Sequence, residues 1–282
     1  MSQAAPYLRP ERIDEAVAAL AGDGWRIAAG CTDLFPATER KVLPGPILDI
    51  SGIAEMRGIR RDAAGLTIGA ATRWRDIVRA DLPPAMRSLQ LAGREVGAQQ
   101  IQNRGTLGGN LCNASPAADG VPPLLTLDAE VELASIRGRR RMLLADFITG
   151  PRQITRAPDE LLTAIHVPDA ALSGQGAFRK LGARSYLVIS IAMVAARITV
   201  ADGRVTQAAI AVGACGPVAT RLAAVEAALI GASPDPARIT AADIDPALSP
   251  IDDVRADRAY RREAALTLVR RTFADATQQV PA

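Results

Sequence analysis

The sequence predicts an α+β fold in two domains, and three observations carry that reading. At 282 residues the chain exceeds the common single-domain size of roughly 100 to 150 residues. Segments with strand alternation and segments with helical spacing are mixed along it without strict β-α alternation, which argues against a doubly wound parallel sheet. A run of small and glycine residues, "DAALSGQG" at 169 to 176, separates two apolar regions and marks the domain boundary.

The elements follow in order. "ERIDEAVAALA" places Ile13, Val17 and Leu20 on one helical face and is stopped by "GDG"; the apolar run "WRIAA" and the turn "GCTDL" then read as a strand leading into a glycine turn. "GPILDIS" is a short strand, and "GLTIGAAT" alternates Leu66 and Ile68 with small or polar neighbours. "TRWRDIVRA" and "PPAMRSLQLAGREVGAQQIQ" are helical and lead into the glycine-rich stretch "GTLGGNLCNASPAADG", Gly105 to Gly120. "AEVELASIRGRRRMLL" has hairpin alternation around Arg137 and Gly138, and "ELLTAIHVP" is a strand ended by Pro168. Beyond the boundary, Asp202-Gly203 between two strand-like runs is a strong hairpin signal. "RLAAVEAALIG" and "RAYRREAALTLVRRTFADA" close the chain as amphipathic helices.

Composition excludes several function classes. The net charge is +3, but its only cluster is "RGRRR" at 137 to 141, on a predicted hairpin turn that solvation explains, and aromatic residues at 3% leave few platforms for base stacking. No nucleic-acid partner is expected. Cys31, Cys112 and Cys215 are far apart and include no C-x-x-C pair, so this chain alone assembles neither a zinc ribbon nor an iron–sulfur cluster, and any such cluster belongs to a partner. The opening "MSQAAPYLRPERIDEA" has no apolar core of a signal peptide and no stretch reaches the ~18 apolar residues of a membrane span, so a cytoplasmic protein is expected. The lone histidine, His166, has no carboxylate beside it in sequence and reads as structural. No G-x-S-x-G, H-E-x-x-H or carboxylate pair supplies acid–base machinery. No catalytic residue and no metal ligand is expected in this chain.

Two glycine turns carry the functional signal. Gly30, with Thr32 and Asp33 after it, follows an apolar strand; Gly108 and Gly109, with Thr106 before and Asn110 after, follow a helix. A bound diphosphate needs several backbone N–H groups aimed at it, and β-carbons in the turn would hold its oxygens away. The helix in "DGVPPLLTL" adds amides if Asp119 caps it. Either turn alone is ordinary loop structure, and neither has Walker A or G-x-G-x-x-G spacing. Two such turns edged with polar donors are better evidence than one.

"RPERIDEAVAALAGDGWRIAAGCTDL" and "QQIQNRGTLGGNLCNASPAADGVPPLLTLDA" resemble the two FAD-binding signatures in the flavoprotein subunit of molybdenum hydroxylases, the xanthine dehydrogenase and carbon monoxide dehydrogenase family. "PDELLTAIHVP" and "AFRKLGAR" follow in the family's order, so the likeness spans nearly the whole chain. It implies an FAD-binding domain of the p-cresol methylhydroxylase/vanillyl-alcohol oxidase type over 1–172, in two α+β subdomains of about 1–57 and 58–172. A smaller α+β domain of the carbon monoxide dehydrogenase flavoprotein type follows over 173–282.

By the same resemblance, Ile27, Ala28, Ala29, Gly30, Cys31, Thr32, Asp33 and Leu34 wrap the FAD diphosphate, and Thr106, Leu107, Gly108, Gly109 and Asn110 approach the phosphates and the flavin. Asp119 matches an acidic residue at the cofactor, against its other reading as a helix cap; Leu162 and Val96 match apolar positions beside FAD, against core. The basic position near FAD falls at Arg179 or Lys180, depending on the register of "AFRKLGAR". Many members carry glycine where Cys31 stands, and the cysteine-bearing insertion of the hydroxybenzoyl-CoA reductase branch is missing.

The implied function is electron relay in a hetero-oligomer, a dimer of heterotrimers. A large subunit holds the molybdopterin cofactor, a small one carries two [2Fe–2S] clusters, and FAD here passes electrons to NAD⁺, a quinone or oxygen. A free-standing FAD reductase of related fold, such as the UDP-N-acetylenolpyruvoylglucosamine reductases, would need a proton donor and a sugar-nucleotide site in this chain. A cofactor-less adaptor would have no use for the donors at Thr32, Asp33, Thr106 and Asn110.

Overall fold

A computed structural model describes residues 6–22, 24–39, 43–185 and 188–278. Met1 to Ala5 of the opening segment and Asp23 of the "GDG" breaker lie outside the described residues. The first part of the chain builds a small parallel sheet: β1 (Tyr7–Leu8) and β2 (Arg26–Ala28) flank β3 (Ile47–Asp49), with α1 (Ile13–Leu20) in the crossover. Ile13, Ala16, Val17 and Leu20 recur at three- and four-residue spacing and are all buried, which is why this segment is a helix held by its apolar face.

The second part is a five-stranded antiparallel sheet built from β4 (Ile59–Asp62), β5 (Gly65–Gly69), β6 (Glu130–Ser135), β7 (Gly138–Leu143) and, later in the chain, β10 (Leu161–Pro168). Its order is β4-β5-β10-β6-β7. Between β5 and β6 the chain makes five helices: α2 (Trp74–Arg79), α3 (Arg87–Glu95), α4 (Gln99–Gln102), α5 (Leu107–Asn113) and α6 (Val121–Thr126). After β7 come α7 (Leu144–Phe147) and a small hairpin of β8 (Ile148–Gly150) and β9 (Gln153–Ile154). One core, with Trp74, Met86, Leu89, Leu107, Leu111 and Ile165 fully buried, joins the helices to the sheet. Edge strand β7 carries the basic cluster, and Arg137, Arg139, Arg140 and Arg141 each face a carboxylate: Asp159, Glu132, Glu160 and Glu132 respectively. Charged side chains on an edge strand also discourage edge-to-edge pairing.

The third part is a four-stranded antiparallel sheet in the order β11 (Gln175–Leu181), β12 (Ala192–Ala201), β13 (Arg204–Gly213), β14 (Thr220–Arg221), covered by α8 (Ala223–Leu229), α9 (Ala241–Ile244) and the long α10 (Arg258–Thr277). Asp202 and Gly203 turn β12 into β13 with φ of 51° and 70°, both left-handed as a two-residue hairpin of this type requires. "AMVAARI" is buried at every position because both faces of the sheet are covered. Val194 and Ala196 meet the α10 side, while Met193, Ala195 and Phe178 meet Ala92 of α3. Apart from Arg197, whose guanidinium donates to Thr126 O and Gln207 Oε1, the run is apolar, as double burial demands. The observed architecture is mixed helix and sheet, a larger unit followed by a smaller one.

Candidate cofactor site

Strand β2 feeds directly into the first glycine turn. Its second residue, Cys31, has φ of 61°, the left-handed conformation that a side chain adopts only at a cost. The amides of Phe35 and Ala37 close the turn onto the carbonyls of Cys31 and Asp33, at 3.5 and 3.0 Å. The amides of Cys31, Thr32, Asp33 and Leu34 donate to no acceptor among the described residues. A left-handed residue inside such a turn is the geometry in which successive N–H groups form an anion-binding concavity.

The second turn sits on the first. A β-carbon on Gly30 would collide with the Arg104 carbonyl oxygen and lie 2.8 Å from the Cα of Gly105. One on Gly108 would stand 2.7 Å from Ala70 Cβ and 2.8 Å from Ala70 O. Both distances are far inside van der Waals contact, so glycine is obligatory at the two positions. This corrects the sequence reading: what approaches the bare backbone at Gly30 and Gly108 is the protein itself, locking two distant segments together.

A second correction concerns the amides of that turn. Leu107 donates to Thr72 O at 3.0 Å, Gly108 to Ala70 O at 2.8 Å, Gly109 to Thr106 Oγ1 at 3.1 Å and Asn110 to Thr106 O at 3.0 Å. All four are spent inside the protein. What this turn offers a ligand is side-chain chemistry, chiefly the Asn110 carboxamide, whose Oδ1 accepts from Gly120 N at 3.2 Å and whose NH₂ group makes no bond among the described residues.

Between the turns and the last domain runs a cleft of about 1280 Å³. Ile27, Ala29, Gly30, Cys31, Thr32, Asp33, Leu34, Val96, Thr106, Gly108, Gly109, Asn110, Asp119, Leu162 and Lys180 all line it. Ala28 and Leu107 do not; both side chains are buried in the core. Arg179 is turned away, its guanidinium on the Asp275 carboxylate at 2.6 and 2.9 Å, so of the two basic positions only Lys180 faces the cleft.

Asp119 does not cap α6. Gly120 holds the cap position without any side-chain bond, and the Asp119 carboxylate instead receives the Lys180 ammonium at 2.9 and 3.1 Å, with Ser190 Oγ at 3.5 Å. Burial pushes the Asp119 carboxyl up to about 6, against the opposing pull of Lys180. This ion pair joins α6's approach to β11 across the two domains.

Sequence reasoning missed Asn113, Ser115, Ala118 and Arg152 in the cleft wall, and Val188 and Ile189, which reach it from the last domain. The quoted "NASPAADG" contained a signal for the first three, a small polar run continuing past the second turn. Residues 188 and 189 carry none, since only tertiary packing brings them there. His166 lies elsewhere, with Nε2 3.2 Å from Glu132 Oε2 and Nδ1 3.0 Å from Thr67 Oγ1. The fold thus supplies a carboxylate that the linear sequence did not place beside it. Burial lowers the pKa of the ring, which favours its neutral form.

These features describe a cleft walled by free amides and polar side chains, and comparison with known proteins assigns the family of the chain. The profile described as FAD binding domain in molybdopterin dehydrogenase matches residues 2–170, and that of the CO dehydrogenase flavoprotein C-terminal domain matches residues 177–276. The chain belongs to the FAD-binding medium subunits of the molybdenum hydroxylase family, oxidoreductases of the xanthine and carbon monoxide dehydrogenase group. It is 32% identical over 272 residues to the glyceraldehyde dehydrogenase medium chain of Sulfolobus acidocaldarius, covering 95% of this chain and 96% of that one. It is 31% identical to the nicotine 6-hydroxylase medium subunit of Paenarthrobacter nicotinovorans, covering 96% of each. The reconstituted CO dehydrogenase of Oligotropha carboxidovorans superposes with a TM-score of 0.87 at 26% identity, covering 98% of each chain. No helix among the described residues is long and apolar enough to cross a membrane.

Proposed function

We propose that the cleft holds FAD with its diphosphate on the unpaired amides of Cys31, Thr32, Asp33 and Leu34, and that this chain is the electron-transfer subunit of a molybdenum-containing hydroxylase or dehydrogenase. The observation that carries the reading is that run of four amides on the cleft wall, which follow one another through a left-handed residue and donate to no acceptor among the described residues, an arrangement suited to an anion. A cleft of about 1280 Å³ has room for a dinucleotide. Thr32, Thr106 and Asn110 supply neutral donors, while Ile27, Val96 and Leu162 supply apolar wall. The Asp119–Lys180 pair fixes a charged group at the cleft, and the family's basic position is read as Lys180. Bound FAD supplies the exchange between one-electron and two-electron carriers; the chain itself positions it, keeps one face dry and sets the charges around it.

The electrons come from [2Fe–2S] clusters of a small partner subunit, fed by a large subunit with the molybdopterin cofactor, and leave to NAD⁺, a quinone or oxygen. The assembly is a dimer of heterotrimers in the cytoplasm, a compartment that suits three free thiols. The FAD-binding unit is taken as residues 1–172 and the last domain as 173–282, boundaries supported by the extents of the two family matches. Expression of the tagged chain in its native host, followed by purification and flavin and metal analysis, tests the reading. FAD, molybdenum and iron in fixed ratio with two further subunits is the result expected. A colourless, metal-free chain recovered alone would refute it.

A further inference from the structure

A second cavity lies on the other side of the first glycine turn. It measures about 710 Å³, shares Ala29, Gly30, Cys31 and Thr106 with the cleft as a common wall, and is otherwise lined by different residues. Among the described residues four arginines line it: Arg9, Arg57, Arg73 and Arg104. Asp49 is the one acidic lining residue among the described residues, and that carboxylate is already engaged. Tyr7 donates its phenol to it at 2.6 Å, Ser51 its amide at 2.9 Å, and Arg9 stands at 3.8 Å. Arg57 donates to the Ser51 carbonyl and meets no carboxylate among the described residues. Arg73 and Arg104 make no side-chain hydrogen bond or ion pair among the described residues. The cavity is therefore electropositive and has two guanidiniums without partners among the described residues.

Its mouth is aromatic. Tyr7 and Phe35 line it at 62% and 57% exposure, in a chain where aromatic residues make up only 3% of the sequence. Guanidiniums in a fixed fork recognise phosphate oxygens in pairs, and exposed aromatic rings present faces on which a base stacks. The volume lies within the roughly 300 to 1000 Å³ typical of small-ligand pockets, and a concavity of this size fits a small molecule better than the flat face of a macromolecular contact.

We propose that this cavity is a second binding site, for a nucleotide carrying a phosphate or diphosphate, with Arg73 and Arg104 on the phosphate and Phe35 and Tyr7 against the base. The site is separate from the FAD cleft and does not depend on its assignment. Because the two share the wall at Gly30 and Cys31, a nucleotide here presses on the same turn whose amides face the cleft, and occupancy of one site shifts affinity at the other by the same factor in both directions.

Calorimetric titration of the full chain with ADP, inorganic pyrophosphate and adenosine, with and without saturating FAD, tests this. ADP binds once per FAD-saturated chain without releasing FAD, more tightly than pyrophosphate or adenosine. Arg73→Gln with Arg104→Gln weakens ADP on the order of tenfold or more while flavin content stays, and Phe35→Ala weakens ADP but not pyrophosphate. Absence of ADP binding at millimolar concentration overturns the proposal. So does ADP that FAD expels, which would place it in the cleft, or pyrophosphate binding as tightly as ADP. Binding that vanishes in the assembled complex also overturns it, since the cavity would then be a docking face for an acidic protein segment. A chain that takes up no FAD but binds ADP at the arginines would end the FAD assignment and leave this one standing.

Discussion

Gly30 and Gly109 both line the cleft, yet a methyl group does different things at each. At Gly30 it strikes the backbone of the second turn, which cannot yield without parting the two segments. At Gly109 it meets only Thr106 Oγ1, at 2.8 Å. Gly30→Ala is expected to cost more than about 2 kcal/mol and to empty the cleft of flavin; Gly109→Ala should cost about 1 kcal/mol and keep it. Thermal unfolding and the flavin-to-protein absorbance ratio separate the two. At Cys31, with φ of 61°, glycine relieves a left-handed strain of about 1 kcal/mol but frees the unfolded chain by a similar amount. Cys31→Gly therefore leaves stability within about 1 kcal/mol and flavin content unchanged, as denaturant titration will read. The thiol is not a reactive one, since burial raises its pKa. At this scale the sequence made the glycines visible but not their cause. A turn that avoids a phosphate and a turn that avoids another segment of chain are written with the same letter.

Helix α5 shows how an element can look like an anion site and not be one. Its sequence, glycines after a threonine, carries the signature of exposed amides, but Thr106 and the carbonyls of Ala70 and Thr72 consume them. The work of Thr106 is to cap. Thr106→Ala is expected to destabilise the protein by about 1 kcal/mol and to loosen FAD only modestly, measured as an equilibrium dissociation constant; loss of FAD as severe as that of Gly30→Ala would restore this turn as the phosphate cradle. Legibility among the elements followed physical strength. The 202–203 hairpin, α1 and α10 could be read because turn chemistry or apolar period fixes them locally. Two-residue strands such as β1 and β14 could not, because tertiary pairing alone makes them strands. Asp119 sits just before α6, where the sequence invited a cap, and the fold gave it to Lys180 on a strand 61 residues away.

That pair bears on the molecule as a whole, because it ties the FAD-binding domain to the last one through a buried contact. The Asp119 carboxyl is raised to about 6, above its ordinary range, so folding disfavours its ionised form and its contribution to stability is lost as pH rises from near 4 through 6. Lys180 offsets that loss. In Lys180→Met the offset goes, and the penalty appears only where the carboxyl is ionised: about 3 kcal/mol at pH 8 and little at pH 5, where the protonated acid needs no cation. Adding Asp119→Leu should recover much of the pH 8 loss. Denaturant unfolding at the two pH values reads the difference, and equal losses at both would show that the pair contributes packing and not charge. The two-domain α+β plan was legible from length and composition. The cleft between the domains was not, since Val188 and Ile189 reach it by packing that no local pattern encodes.

The most direct measurement is a crystal structure of the chain grown with FAD. The account predicts diphosphate oxygens at hydrogen-bond distance, about 3 Å, from the amide nitrogens of Cys31, Thr32, Asp33 and Leu34, with Lys180 still on Asp119 at the cleft edge. A diphosphate seated elsewhere while those four amides remain without an acceptor would contradict it.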